Sequence, residues 1–200
     1  MKSLEELKQI IKNSLSEKRY LHVLSVVDEV RVLSNVFEID DKEPLLHAAL
    51  LHDCTKEWSF DKHLEYAREN SHTLSESDLK STPVLHARTG AIRALKEFGE
   101  DDRVFDIIFC HTTGKANMNL LEKILFIADF IEKGRSYTAC IETRKAFYDD
   151  IEKCNTLKER LRALDRAVLS SLEFTVSYLQ KKEMFVHPDT LCAIKYLGEI

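Results

Sequence analysis

Apolar residues recur at three- and four-residue spacing along nearly the whole chain, and the strict alternation of a half-buried strand is scarce. The spacing predicts helices over residues 3–15, 19–35, 44–54, 60–70, 75–80, 85–98, 101–112, 118–133, 137–150 and 156–182. Pro44 falls where a first-turn proline is tolerated, and Pro83 just before another helix. Gly99 and Gly134 read as helix stops. No repeat, low-complexity tract or linker interrupts the pattern, so residues 1–200 are expected to form one all-α domain. The last long helix carries Leu157, Leu161, Leu164, Val168, Leu172 and Val176 on one stripe. That stripe is expected to pack on its own domain, because the sustained charge pairs of a coiled coil are missing, and it leaves room for a homodimer.

Composition narrows the partners. The chain has 200 residues, 44% hydrophobic and 32% charged, which is globular, with a formal net charge of -5. No basic patch dominates, so a sequence-independent nucleic-acid binder is disfavoured. The amphipathic start, "MKSLEELKQIIKNSL", lacks a signal-peptide core, and no window approaches a membrane span. A cytoplasmic location is expected. Five cysteines without a CxxC spacing read as reduced thiols, with Cys54 and Cys110 as small core fillers.

Polar residues then break apolar helices. "HAALLHDCTKEWS" ends a core-seeking run in His52-Asp53, a pair that is costly to bury without partners. In "LLEKILFIADFIEKGR" Asp129 sits within a helix apolar almost all round; Lys123 and Arg135 lie six positions away, so its partner is expected from another segment. His22 borders the stripe formed by Leu21, Leu24, Val27 and Leu33. His86 follows Pro83-Val84-Leu85, and His111 ends "RVFDIIFC". Imidazole and carboxylate are ligands of divalent first-row metals, and this set suits one ion fully or two bridged by a carboxylate. Two ions about 3.5–4 Å apart suit in-line attack on phosphorus. His47 lies about 140° round the wheel from His52 and is expected to face elsewhere. His63 and His72, in charged stretches, read as surface residues, and His187 as a structural cap or a site-lining group.

The ordered set His22, His52-Asp53 and Asp129 on apolar helices resembles the HD-domain metal-dependent phosphohydrolases. "RYLHVLSV", "HAALLHDCTK", "HARTGA", "HTTGKANMNLLEKILFIADFIEKGR" and "VHPDT" are similar to the bacterial symmetrical diadenosine tetraphosphate hydrolases within them. The resemblance runs from residue 19 to 190. It implies an all-helical HD bundle with a core near 18–135 and helices 137–182 packed on it. It implies two divalent ions, iron expected and manganese or cobalt allowed, and cleavage of a nucleotide substrate into two ADP. Carried over residue by residue, His22, His52, Asp53 and Asp129 would hold the first ion. His86, His111 and Asp53 would hold the second, with Asp53 as bridge. "EKGR" and "CAIKYL" depart from the family's usual wording, and the second puts a C-terminal substrate contact in question.

A net acidic chain must gather local cations for so anionic a substrate. Lys56, one turn beyond Asp53, is the first candidate, for catalysis and for phosphate contact. Arg19, one turn before His22, Arg135 and Arg88 follow. Thr113-Gly114 would offer a hydroxyl and a close N–H. Glu132, near Asp129, would fix a ligand or Arg135.

Overall fold

The computed structural model describes residues 2–199, and no strand occurs among them. α1 (Leu4–Ser14) and α2 (Glu17–Val36) open the chain, each started by a serine whose side chain accepts a backbone N–H of the first turn. α3 (Glu43–Leu51) follows, with Pro44 in its first turn, then α4 (Phe60–Glu69) and α5 (Glu76–Lys80). A 3₁₀ turn (Thr82–Val84) leads into α6 (Leu85–Arg93), which runs on as a π-helical turn, Ala94–Phe98. α7 (Asp102–Cys110), α8 (Leu120–Ile131), α9 (Thr138–Ile151), α10 (Leu157–Lys181) and α11 (Pro188–Gly198) complete the bundle.

α8 is central. Ile124, Leu125, Phe126, Ile127, Ala128 and Ile131 are buried, and the helix packs against α2, α3, α7, α9 and α10. Burying a helix on so many sides explains why its apolar residues wrap the whole cylinder. The stripe of α10 packs inward on α8, α9 and α11, as its sequence predicts. One continuous core runs from Leu7 to Leu197. No described helix is long and apolar enough to cross a membrane.

Four expectations change. α11 is a full helix that apolar spacing had not marked; His187 caps it by accepting the N–H of Asp189, and Pro188 sits in its first turn. Leu21 points outward at 58% exposure, while Val23, Val26, Val27, Val30 and Leu33 form the buried face of α2. His63 is buried: α4 packs on α6, and the His63 Nδ1–H donates to Thr89 Oγ1 at 2.7 Å. The charged neighbours of His63 lie on the outer face of a helix whose inner face it shares with Ala67. His72 is half-buried beside Phe105.

Candidate metal centre

Four imidazoles meet where α2, the ends of α3 and α7, and the start of α6 converge. Ring centroids lie 5.5 Å apart for His22 and His52, 5.1 Å for His52 and His111, and 5.0 Å for His86 and His111. Two of these rings have their chemistry fixed by backbone. His52 Nδ1 lies 2.7 Å from Ala49 O, and His111 Nδ1 2.6 Å from Ile108 O. A carbonyl only accepts, so each Nδ1 carries the proton and each neutral ring turns the lone pair of Nε2 inward. Both residues sit just past a helix end, where an imidazole can fold back onto an orphan carbonyl. His52 Nε2 is buried with no hydrogen-bond partner. His111 Nε2 faces His86 Nε2 at 3.1 Å. Burial, with the neighbouring rings of His86 and His52, holds the pKa of His111 well below the ordinary histidine value.

Asp53 lies among these rings with its oxygens divided. Oδ1 is 3.2 Å from His86 Nε2, whereas Oδ2 is 3.5 Å from both His22 Nε2 and His52 Nε2. Arg19 Nη1 donates to Oδ2 at 2.7 Å. Burial alone would raise this carboxyl's pKa; His52 and His86 reverse that and hold it well below the usual range. Asp129 Oδ1 lies 3.0 Å from His22 Nε2 and 4.0 Å from His52 Nε2. Burial would raise Asp129 too, but Arg135, His22 and His52 keep it ionised. His22 itself is raised to about 9: burial opposes its charge, and the carboxylates of Asp129 and Glu132 prevail.

His22 is the partner from another segment that the sequence led us to expect for Asp129, but Arg135, set aside there, is a partner too. Arg135, six positions on, pairs with Asp129 Oδ1 and donates from Nε to Asp129 O at 2.9 Å. α8 stops at Ile131, so the wheel no longer applies and the turn brings Arg135 back. Glu132, in that turn, accepts from His22 Nδ1 at 3.1 Å and from the Gly134 N–H. A Cβ at position 134 would lie 2.9 Å from Glu132 Oε2, so a side chain there would shift the Glu132 carboxylate. Arg144, which sequence reasoning missed, donates from α9 to the carbonyls of Ile131 and Glu132, neutralising the helix end.

The other predicted contacts divide. Lys56 Nζ lies 3.2 Å from His86 Nε2, and burial lowers its pKa. Arg88 does not face the cluster: its donors go to Asp78, Asp189 and Phe109 O. Thr113 spends its hydroxyl on Gly114 O at 2.8 Å, and Gly114 adopts φ +65 in a packed turn against Ala193, Met118 and Leu172. These three residues therefore have structural partners in place of a phosphate. Thr112, which sequence reasoning passed over, keeps a buried hydroxyl without a partner among the described residues. His47 faces away, its Nδ1 2.8 Å from Glu100 Oε1. Burial raises the thiols of Cys54 and Cys110 to about 12, so both are inert fillers.

Three overlapping triads have ligand atoms close enough to share an ion: His22–His52–Asp53, His52–His111–Asp129 and Asp53–His86–His111. The unpartnered, inward lone pair of His52 and the divided carboxylate of Asp53 fit divalent cations. Glu132 on His22 and the carbonyls on His52 and His111 supply the outer hydrogen bonds that orient metal-binding imidazoles.

Known proteins resemble this chain over nearly its whole length. The family model for the HD domain matches residues 19–134. A protein of Halalkalibacterium halodurans named symmetrical bis(5'-nucleosyl)-tetraphosphatase is 34% identical over 192 residues, covering 94% of each chain. Proteins of the same name from Bacillus subtilis and Staphylococcus aureus are 31% and 30% identical, covering 96% and 97% of this chain and 96% and 94% of their own. A crystal structure from Clostridium acetobutylicum, described as a predicted HD superfamily hydrolase involved in NAD metabolism, superposes with a TM-score of 0.87 at 34% identity. It covers 100% of this chain and 98% of its own.

Proposed function

The chain belongs to the HD domain family, and from that membership we propose that it hydrolyses diadenosine tetraphosphate symmetrically to two ADP. The observation that carries the reading is a buried carboxylate, Asp53, whose one oxygen faces His86 Nε2 and whose other faces the Nε2 atoms of His22 and His52, with His111 Nε2 set against His86. His22, His52, Asp53 and Asp129 would hold one divalent ion, and Asp53, His86 and His111 a second, with Asp53 between them. Such ions supply Lewis acidity that activates water near neutral pH and neutralises charge on phosphoryl oxygens. Iron is the ion we propose, and the cytoplasm the compartment.

The chain's own groups do the rest. Arg19 and Arg135 neutralise Asp53 and Asp129, and both part-exposed guanidinium groups are placed to clamp phosphate. Lys56 lies between the rim and His86, in reach of the negative charge that grows on the inner phosphates. Water adds at an inner phosphorus, the bridging P–O bond breaks, and the departing ADP takes a proton from solvent or from Lys56.

The second reading is action on another nucleotide, because the solved Clostridium acetobutylicum structure is described in terms of NAD metabolism. The deciding experiment is turnover of diadenosine tetraphosphate, a nucleoside monophosphate and a nicotinamide dinucleotide by iron- or manganese-loaded protein, with products identified. Two ADP as the preferred product supports the proposal. ATP plus AMP, or an intact tetraphosphate beside a cleaved competitor, overturns it.

A further inference from the structure

Arg88 occupies a position that a simple surface cation would not. Its residue is 2% exposed, yet every arm of the guanidinium is engaged. Nε donates to Asp78 Oδ1 at 2.7 Å, Nη1 to Phe109 O at 2.5 Å, and Nη2 to Asp189 Oδ2 at 2.8 Å. The group also lies 4.0 Å above the Phe109 ring. Asp78 is braced by the N–H and hydroxyl of Ser75, and His187 Nε2 stands 3.3 Å from Asp78 Oδ1. One cation thus joins α5, α6, α7 and the start of α11.

The joined positions matter. Arg88 stands two residues after His86, and Phe109 two residues before His111. Those are the two rings whose Nε2 atoms face each other at 3.1 Å. A buried ion cluster is a poor source of stability compared with apolar packing of the same volume, but it fixes register where geometry is demanding. The bond from the Arg88 guanidinium to the Phe109 carbonyl sets how α6 and α7 lie beside one another. Asp78 and Asp189 keep the guanidinium from turning away.

We propose that Arg88 is a positioning residue: held by Asp78 and Asp189, it sets the separation of His86 and His111 and so tunes the affinity of the second ion. The assignment rests on the two-ion reading above. Its test is titration of Mn²⁺ into metal-stripped full-length protein by calorimetry, with the thermal transition of the same samples as control. The wild type should bind two ions. Arg88→Lys should keep one ion at wild-type affinity and bind the other about tenfold or more weakly, as loss of an orienting partner does. Asp189→Asn, which changes only the outer, half-exposed partner, should weaken the same ion to a smaller degree with its Tm preserved.

Equal weakening of both ions alongside a lowered Tm would mark a merely structural role and overturn the assignment. Two ions bound to both variants as in the wild type would do the same. Should Arg88→Lys fail to fold, Asp189→Asn decides alone, since unchanged binding there overturns the proposal. A wild type that binds one ion sinks the two-ion reading together with this assignment. A wild type that binds two, with unaffected variants, sinks the assignment only.

Discussion

His86 and His111 turn their Nε2 atoms toward each other at 3.1 Å inside the bundle. His111 has committed its Nδ1 proton to Ile108 O, and burial disfavours a second proton on the ring. A proton on His86 Nε2 donated to His111 Nε2 satisfies the pair, and a divalent cation held there would take the place of that proton. Mn²⁺ added to metal-stripped protein should therefore raise the Tm. At 100 times the dissociation constant the gain is about 2.7 kcal/mol, reversed by chelator. Thermal scans with and without the ion check this, and an unmoved transition would count against a cation at the cluster.

Glu132 acts through His22. Its carboxylate fixes which ring nitrogen points inward, and Gly134 and Arg144 fix the carboxylate's turn. Glu132→Gln should weaken metal binding by about 10–100-fold while leaving the helix content intact. Metal titration followed by circular dichroism tests both halves of that statement.

Lys56 carries charge close to the metal ligands without itself being one. Lys56→Met keeps the stem and deletes the ammonium. The expected outcome is a loss of about 10²-fold in kcat with two ions still bound. Unchanged turnover would remove Lys56 from the reaction.

His63 makes the stability of the fold depend on pH. Burial, then the nearby charges of His86 and Lys56, push its pKa from 6.5 down to about 4. The unfolded chain takes up a proton below 6.5 that the folded chain refuses until about 4. The stabilisation is complete above 6.5 and is lost as pH falls through that window. Between pH 7 and 5 the loss should be about 2 kcal/mol. Urea unfolding of wild type and His63→Gln at both pH values would show it, since the variant should lose less over the same interval.

Much of the bundle was legible because helical periodicity reports burial directly: α8 announced its central place by being apolar all round. The cluster of His22, His52, Asp53, His86, His111 and Asp129 was legible for the converse reason, as each is a polar residue in an apolar setting. What escaped depended on three-dimensional closure. Arg135 reaches Asp129 only because α8 ends between them. Arg88 looked like a substrate cation, since nothing in "HARTGA" foretells carboxylates from positions 78 and 189. His63 hid among charged neighbours that occupy the opposite face of its helix. α11 begins on a histidine cap and a proline, a start that apolar spacing does not mark.

The bond between Arg88 and Asp189 spans 101 positions of the chain. In chain order α2, α3, α6, α7 and α8 all precede α11, so every candidate ligand, and the bonds from Arg88 to Asp78 and Phe109, lie in the chain before Asp189. On the proposed role of Arg88, the last helix of the chain would supply the final brace of a centre whose candidate ligands all precede it.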